Sequence, residues 1–175
     1  MKDVIHKLGF RVVYIAGFVI GWMFESIADV QKLSHKLYRK DRKDFMRTGL
    51  WSWSRHPNYF GEIVIWASVW MYCQAGMSNQ EHWIAFLLSP FLTFILLVFL
   101  SGMKQSERPT AKEQFKLGNS AVYQVYIDST SPLIPVYPPM WKLLPRFVKL
   151  LIFEYPMWSF IPTGDDERAL MEHSE

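Results

Sequence analysis

Long apolar runs dominate the first two thirds of the chain, in place of the alternating or 3.6-residue patterns of a soluble domain. Three of these runs approach or reach the length of a membrane span, which needs about 20 residues to cross ~30 Å of hydrocarbon. They cover residues 10–24, 59–76 and 83–103. The first is short by itself, so we expect its helix to continue through residues 25–38 and leave the membrane. We expect Pro90 to kink the third helix.

Beyond the third run the pattern changes to short, interrupted elements. A polar helix is predicted over about 109–117, and a Gly-Asn stop signal separates it from a second helix over 120–127. Four prolines exclude a regular helix in residues 131–139. Residues 141–162 are apolar but broken by proline and charge, which indicates a piece lying in the membrane interface. Its aromatic anchors are expected to be Trp141, Tyr155 and Trp158.

These elements predict an all-α fold, a polytopic membrane helix bundle with about three spanning helices plus interfacial C-terminal helices. Residues 1–162 are expected to form a single membrane domain, because 175 residues suffice for one domain. The acidic tail, residues 163–175, is expected to be disordered. A single cysteine, Cys73, excludes an internal disulfide and a zinc site built from cysteines.

Basic residues cluster between the first two apolar runs. Residues 32–55 contain eight Lys and Arg against two Asp, whereas residues 77–82 contain no Lys or Arg. The positive-inside rule therefore places the basic stretch in the cytosol and residues 77–82 on the far side. The chain is thus expected to be a multi-pass integral membrane protein with membrane lipids as partners and without a nucleic-acid partner.

The densest cluster of polar and aromatic groups is the segment 49–62, with the sequence Gly-Leu-Trp-Ser-Trp-Ser-Arg-His-Pro-Asn-Tyr-Phe-Gly-Glu. Pro57 suits the first turn of a helix, where its missing N–H costs nothing, so the second membrane helix is predicted to begin there. Arg55 and His56 then lie just before a helix N-terminus. The free amides and positive dipole end of that turn favour an anion such as a phosphate.

Asn58 and Glu62 lie four residues apart and share one face of the predicted helix. A carboxylate within a membrane costs about 2.5–3.5 kcal/mol even on lenient insertion scales. Glu62 is therefore expected to face the bundle interior and to have a partner. Two interpretations stay open, a ligand-binding role and a structural ion pair with Arg55 or His56.

Two further clusters are candidates. The first shares one face at the end of the first helix and consists of Glu25, Asp29, Lys32 and Lys36. It is either a salt-bridged helix end or a site where carboxylates accept from ribose hydroxyls and lysines meet phosphates. The second consists of Glu107, Arg108, Tyr123 and Tyr126, and alone it is typical of ordinary polar surface. No metal-ligand spacing and no Gly-x-Gly-x-x-Gly is present, so a nucleotide would need a non-Rossmann site.

The motif at residues 49–62 resembles the signature of the uncharacterised membrane branch of the steroid 5-alpha-reductase C-terminal family. The upstream element Glu25-x-x-x-Asp29-x-Gln31-Lys32 and the closing segment near residues 119–135 are also similar to that family. The resemblance covers residues 21–135. The Arg-His-Pro-x-Tyr-x-Gly-Glu core is shared with sterol reductases and with isoprenylcysteine and phospholipid methyltransferases.

The resemblance implies a cytosol-facing cofactor cavity in the endoplasmic reticulum membrane, with NADPH giving hydride to a steroid or enoyl carbon-carbon double bond. It implies that Asp29 and Asn58 hold the cofactor and that Glu62 is the helix carboxylate beneath it. It also carries four further cofactor-binding residues to this chain, namely Arg55, His56, Tyr59 and Tyr126. Catalytic residues are not assigned.

Two alternatives stay open. The first is an S-adenosylmethionine-dependent methyltransferase of a lipid or prenylcysteine, although the paired-Glu element of those enzymes is not visible after the third run. The second is a catalytically inactive membrane protein. Reductases of the family carry further helices upstream, which supply an acid and a tyrosine that polarise the enone carbonyl, and without them the chain is expected to be truncated, divergent or inactive.

Overall fold

The computed structural model describes residues 2–76, 83–100 and 102–151, and within these ranges the chain is mostly helical and has no β-strand. The described helices are α1 (Lys2–Tyr38), α2 (Pro57–Gly76), α3 (Trp83–Ile95), α4 (Gly102–Lys116), α5 (Ser120–Ser129), α6 (Pro138–Leu143) and α7 (Arg146–Leu151). A 3-10 turn, Gly49–Ser52, precedes α2, and a π-helical turn, Leu96–Leu100, continues α3. The predicted all-α class is therefore confirmed for the described part.

The α1–α2 pair makes the most extensive contact of the fold, and two glycines bring the helix backbones together. A Cβ atom at Gly61 would lie 2.6 Å from the Gly21 carbonyl oxygen and 2.6 Å from the Glu25 amide nitrogen. Small residues of this kind let two helices approach closely enough for van der Waals contact along their length. The pair therefore fixes the face of α2 that carries Asn58 and Glu62 against α1.

A second packed region lies beside the end of α1. The loop between α1 and α2 inserts Phe45 against Ala111 of α4 and against Tyr123 and Ile127 of α5. The Phe45 ring meets the Tyr123 ring edge-on, with centroids 5.1 Å apart. This small aromatic core joins the α1–α2 loop to α4 and α5, and the candidate site lies beside it.

One segment of the described chain, Arg11–Tyr38 within α1, is long and apolar enough to cross a membrane by length and composition. The apolar stretch Leu87–Phe99 is shorter, and α2 does not meet the same criterion. On this criterion the prediction of about three spanning helices is matched by one segment. The multi-pass arrangement stays a prediction.

Several helix boundaries agree with the sequence pattern and two features do not. The continuation of α1 to Tyr38 and the start of α2 at Pro57 are as predicted. The expected helix start near residue 109 is wrong, because α4 begins at Gly102 and contains Pro109 in its interior. Trp141 is fully buried, so its predicted role as an interfacial anchor is also wrong. Tyr155, Trp158, the domain end at residue 162 and the tail 163–175 lie outside the described residues.

Candidate functional site

The Gly-Leu-Trp part of the motif anchors the α1–α2 loop to α1. Gly49 has a φ of 63°, a left-handed conformation that favours glycine, and a Cβ there would also meet the Gln31 side chain. The Gln31 side chain accepts a hydrogen bond from the Leu50 amide at 3.0 Å. The Trp51 indole N–H donates to the Ala28 carbonyl at 3.0 Å. These contacts hold the motif in place just before α2 begins.

The closing segment after α5 pairs with the same motif. The Arg55 amide donates to the Ser131 carbonyl at 2.8 Å, and the Ser54 hydroxyl donates to the Leu133 carbonyl at 2.7 Å. The Ser54 hydroxyl oxygen also accepts from the His56 amide at 3.1 Å. All three residues of the motif involved here are buried. The backbone at Arg55 and His56 is therefore fixed by a segment about 80 residues away along the chain.

Arg55, His56 and Glu107 form a buried polar centre. Glu107 is 4% exposed, and its Oε1 atom lies 2.9 Å from His56 Nε2 and 3.4 Å from Arg55 Nε. The His56 ring also stacks on the Tyr59 ring, with centroids 5.0 Å apart and planes 6° from parallel. The carboxylate from α4 thus meets two motif residues that precede α2.

Burial lowers the pKa of His56, because removing the ring from water disfavours its charged form more than Glu107 favours it. Burial alone would raise the pKa of Glu107, but the Arg55 guanidinium and the hydrogen bond from His56 outweigh it and lower that pKa. At neutral pH the centre therefore holds a guanidinium–carboxylate ion pair. A neutral His56 imidazole donates its Nε2–H to the carboxylate.

The centre retains unused hydrogen-bonding capacity. Arg55 Nη1 and Glu107 Oε2 are buried and have no hydrogen-bond partner among the described residues. Buried polar atoms are rarely left unpaired in folded proteins, so each unpaired one indicates a missing water, ion or ligand. The Arg55 guanidinium and the Glu107 carboxylate can therefore each form a further hydrogen bond to a molecule in the adjoining space.

A cavity of about 230 Å³ opens beside this centre. Its lining includes four cationic side chains, Lys32, Lys36, Arg39 and Arg55, and two carboxylates, Glu107 and Glu113. Lys32 and Lys36 lie four residues apart on one face of α1, and Arg39 directly follows the last residue of that helix. The cavity therefore has basic side chains from the end of α1 and from Arg39, and its lining includes the buried Arg55–Glu107 ion pair.

Two tyrosines of α5, Tyr123 and Tyr126, are also part of the cavity lining. Burial raises the pKa of both Tyr123 and Tyr126, so the two phenols stay protonated. The Tyr126 hydroxyl donates to the Trp51 carbonyl at 2.8 Å, which ties α5 to the motif. Trp51 carries Lys32 above its ring, with Nζ 5.1 Å from the centroid. Within the described residues no group of His, Cys, Asp and Glu is arranged to hold a metal ion.

A separate polar group lies between α1 and α2. Asn58 Nδ2 donates to Asp29 Oδ1 at 3.1 Å, and Asn58 Oδ1 is buried without a partner in the described chain. Glu25 lies close enough to Glu62 and Asp29 for electrostatic repulsion from both carboxylates. The open question of an ion pair between Glu62 and Arg55 or His56 is answered in the negative, because both of those residues pair with Glu107.

The family described as "Protein of unknown function (DUF1295)" matches residues 6–130, a range that includes Arg55, His56, Glu107 and both α5 tyrosines. The chain belongs to this family. The matching range contains all seven residues predicted to bind a cofactor and extends from α1 through α5. The DUF1295 region of the chain is therefore the part that builds the cavity.

An uncharacterised protein of Schizosaccharomyces pombe, C594.04c, is 28% identical to the chain over 93 residues. These residues are 53% of this chain and 24% of the fungal protein, so the chain matches about a quarter of that relative's length. No solved structure matches the chain.

The structure divides the seven predicted residues of this DUF1295 chain into two groups. Arg55, His56 and Tyr126 line the cavity. The other residues lie outside its lining and comprise Asp29, Asn58, Tyr59 and Glu62. Tyr59 connects the two groups, because its ring stacks on His56 while its helix carries Asn58.

Glu107 is the residue that sequence reasoning missed, since it was assigned with Tyr123 to ordinary polar surface. Both residues are buried, so that interpretation is wrong. A signal was present in the sequence. Met103, Glu107 and Ala111 recur every four residues, and all three face the interior.

Proposed function

We propose that this DUF1295 protein is a multi-pass membrane protein whose cavity opens on the cytosolic side. The apolar surface of α1 supports this, because side chains such as Val12, Val19 and Trp22 are exposed along much of its length. Soluble monomers rarely leave contiguous apolar surface of this extent uncovered. The basic charge of residues 32–55 supports the cytosolic placement. Placement in the endoplasmic reticulum rests on the resemblance to the steroid 5-alpha-reductase family alone.

We further propose that the protein catalyses NADPH-dependent reduction of a carbon-carbon double bond in a lipid-like molecule, such as a steroid or an enoyl lipid. The observation that carries this proposal is the cavity in which four cationic side chains outnumber two carboxylates. A cofactor rich in phosphate suits such a lining, because Arg and Lys bind phosphate through charge-assisted hydrogen bonds. The motif resemblance adds the reaction class.

Each wall of the cavity then has a role. Lys32, Lys36 and Arg39 would face the phosphates of NADPH, and Arg55 Nη1 would donate to a phosphate or ribose oxygen. Glu107 Oε2 would accept from a ribose hydroxyl. NADPH supplies the hydride when bound, and the protein supplies binding, orientation and exclusion of water.

The size of the cavity limits what it holds. Its volume of about 230 Å³ lies below the roughly 300–1,000 Å³ of typical small-molecule pockets. We therefore assign it to the phosphate-bearing part of the cofactor. Asp29, Asn58 and Glu62 would meet the rest, and the unpartnered Asn58 Oδ1 is the open acceptor on that side. Tyr59 lies between the two parts, stacked on His56.

One observation favours a second candidate function. Glu107 Oε2 is a buried carboxylate oxygen without a partner in the described chain, and it would attract the positive sulfonium of S-adenosylmethionine. The protein would then transfer a methyl group to a lipid or prenylated cysteine. We rank this second, because the sulfonium cofactor carries no phosphate and gives the basic face of α1 no partner.

Calorimetric titration of the purified full chain with NADPH, NADH and S-adenosylmethionine tests the cofactor. We expect NADPH to bind most tightly. Lys36→Gln should weaken NADPH binding several-fold, because it removes a phosphate contact on the cavity wall. Lys40→Gln is the matched control, since Lys40 lies four residues further on and outside the lining, and it should leave binding unchanged. Binding of S-adenosylmethionine without NADPH would reverse the ranking.

Mass spectrometry of a panel of enone and enoyl lipids, incubated with the reconstituted chain and NADPH, tests the reaction. We expect a product with one double bond reduced, formed only when NADPH is present. Glu62→Gln should lower the yield. Absence of product from both proteins, together with absence of cofactor binding, would support a catalytically inactive membrane protein.

A further inference from the structure

After the closing segment the chain forms two short helices, α6 and α7, joined by residues 144–145, and we call residues 138–151 the α6–α7 hairpin. Trp141 is fully buried, and α6 contacts α5. Lys149 Nζ lies 5.2 Å from the centroid of the Trp141 ring, so a side chain of α7 reaches the buried ring of α6. The hairpin is therefore a packed element of the fold with a defined outer surface.

The outer surface of the hairpin is apolar. Met140 is 61% exposed, Leu143 is 83% exposed and Phe147 is 66% exposed. Burial of these side chains would remove apolar surface from water, which is favourable. Nothing in the described part of the chain covers them. The fold therefore turns Trp141 inward and leaves apolar side chains that include Met140, Leu143 and Phe147 exposed.

Cations accompany these apolar side chains. The charged residues of the hairpin are Lys142, Arg146 and Lys149, and the hairpin contains no acidic residue. Lys142 directly precedes exposed Leu143, and Arg146 directly precedes exposed Phe147. Leu143 and Phe147 thus each directly follow a cationic residue in the sequence.

The pairing of apolar and cationic side chains matches an anionic bilayer surface. Interfacial segments bury apolar groups about 5–10 Å into the headgroup boundary, while Lys and Arg remain at the phosphate level. Each cation near an anionic leaflet contributes about 1 kcal/mol. A second copy of this hairpin would instead bring three cations against three others. Charge complementarity therefore favours lipid over self-association.

We propose that the α6–α7 hairpin inserts Leu143 and Phe147 into the headgroup region of an anionic membrane surface, with Lys142 and Arg146 at the level of the lipid phosphates. Leu143 and Phe147 would then have the anchoring role that the sequence pattern assigned to Trp141. It concerns lipid recognition and is independent of which cofactor the cavity holds.

Fluorescence of the reconstituted full chain tests this proposal. Cys73 is the single cysteine, so a Cys73→Ser background allows one labelled position at a time, Leu143→Cys or Phe147→Cys, with an environment-sensitive fluorophore. The chain is placed in nanodiscs of phosphatidylcholine alone or mixed with phosphatidylserine. We expect quenching by lipids that carry a quencher near the headgroup, and more quenching in the anionic discs. Asp128→Cys, exposed on α5, is the control and should not be quenched.

Removing the cations separates the two parts of the proposal. Lys142→Gln and Arg146→Gln should each lower the insertion equilibrium in anionic discs roughly fivefold, with little change in neutral discs. Absence of quenching at both labelled positions would overturn the proposal. Energy transfer between labels on different copies, in place of lipid quenching, would also overturn it and assign the surface to a second copy of the chain.

Discussion

At the scale of single residues, Arg55 and Glu107 are charged groups removed from water, and each depends on the other for its stability. Their buried atoms Nε and Oε1 lie 3.4 Å apart. Replacing both charges by apolar groups of the same shape is often neutral, whereas removing one leaves an uncompensated charge. The presence of the ion pair therefore does not show that it stabilises the fold. Removal of either charge alone, however, is expected to destabilise the fold.

Glu107→Gln should destabilise the fold by about 3–5 kcal/mol, because it keeps the shape of the side chain and strips Arg55 of its counter-ion. The measurement is the unfolding midpoint of the purified chain in detergent. Glu113→Gln is the matched control on the same helix, since Glu113 pairs with exposed Arg42 at 3.3 Å. A surface pair contributes at most about 1 kcal/mol. Equal losses in the two variants would contradict the buried ion pair.

Stability should fall as the pH is lowered from 7 to 5, and His56 is the reason. Its folded pKa is lowered from 6.5 by burial, so in this window the unfolded chain binds more protons than the folded chain. The folded pKa of Glu107 is lowered from 4.5, so its contribution is complete above pH 4.5 and is lost only as the pH falls further. His56→Gln should flatten the profile between pH 7 and 5.

The control for this pH dependence is His35→Gln, at the edge of the same cavity. It should retain the loss of stability on acidification. Thermal unfolding at a series of pH values measures both variants against the unaltered chain. A profile that stays steep in His56→Gln would assign the acid sensitivity to a different group.

Residue-level prediction succeeded where the chemistry is local and failed where it is not. Arg55 and His56 are adjacent to Pro57, so their place before a helix could be read from the sequence. Glu107 is 51 residues from His56, and its neighbours Ser106 and Arg108 are typical of a solvated helix. The spacing of Met103 and Ala111 around Glu107 indicates a buried face, but it does not identify the distant residues that pair with the carboxylate.

At the scale of elements, the close approach of α1 and α2 depends on Gly61. A Cβ atom there would lie 2.6 Å from backbone atoms of α1, and backbone does not move aside as a flexible side chain does. Gly61→Ala should therefore cost about 1–3 kcal/mol of stability, the range for overpacked sites. Gly9→Ala is the control, because a Cβ at Gly9 meets nothing within 4 Å. A lower unfolding midpoint for the first variant alone would support the contact.

Element boundaries were predictable where a residue acts on its own backbone. Pro57 marks the first turn of α2, and Gly118, with a φ of 67°, separates α4 from α5. The start of α4 could not be predicted, because its first turns are polar in sequence and are held by burial of Met103 and Glu107 against other elements. Tertiary burial of this kind overrides the local appearance of a loop.

At the scale of the whole molecule, the number of membrane crossings depends on whether α2 is a span. Only α1 meets the length and composition of a span in the described chain, whereas the sequence predicts about three. α2 contains 20 residues, enough for about 30 Å at 1.5 Å per residue, but it carries Asn58, Glu62, Ser68 and Gln74. These polar groups lower its mean hydropathy, and Ser68 and Asn58 are directed at α1 or its own backbone. Polar groups turned away from lipid are compatible with a span.

The two topologies differ in where residues 40 and 79 lie. If α1 alone crosses the membrane, both positions are on one side. If α2 also crosses, they are on opposite sides, and a third crossing returns Lys116 to the side of residue 40. We expect the second arrangement, with residues 40 and 116 in the cytosol, because the basic residues of 32–55 oppose translocation.

Single-cysteine variants Lys40→Cys, Asn79→Cys and Lys116→Cys in sealed microsomes, treated with an impermeant maleimide, measure this directly. Labelling of position 79 only after detergent is added supports three crossings. Labelling of all three positions in intact vesicles would indicate a single crossing.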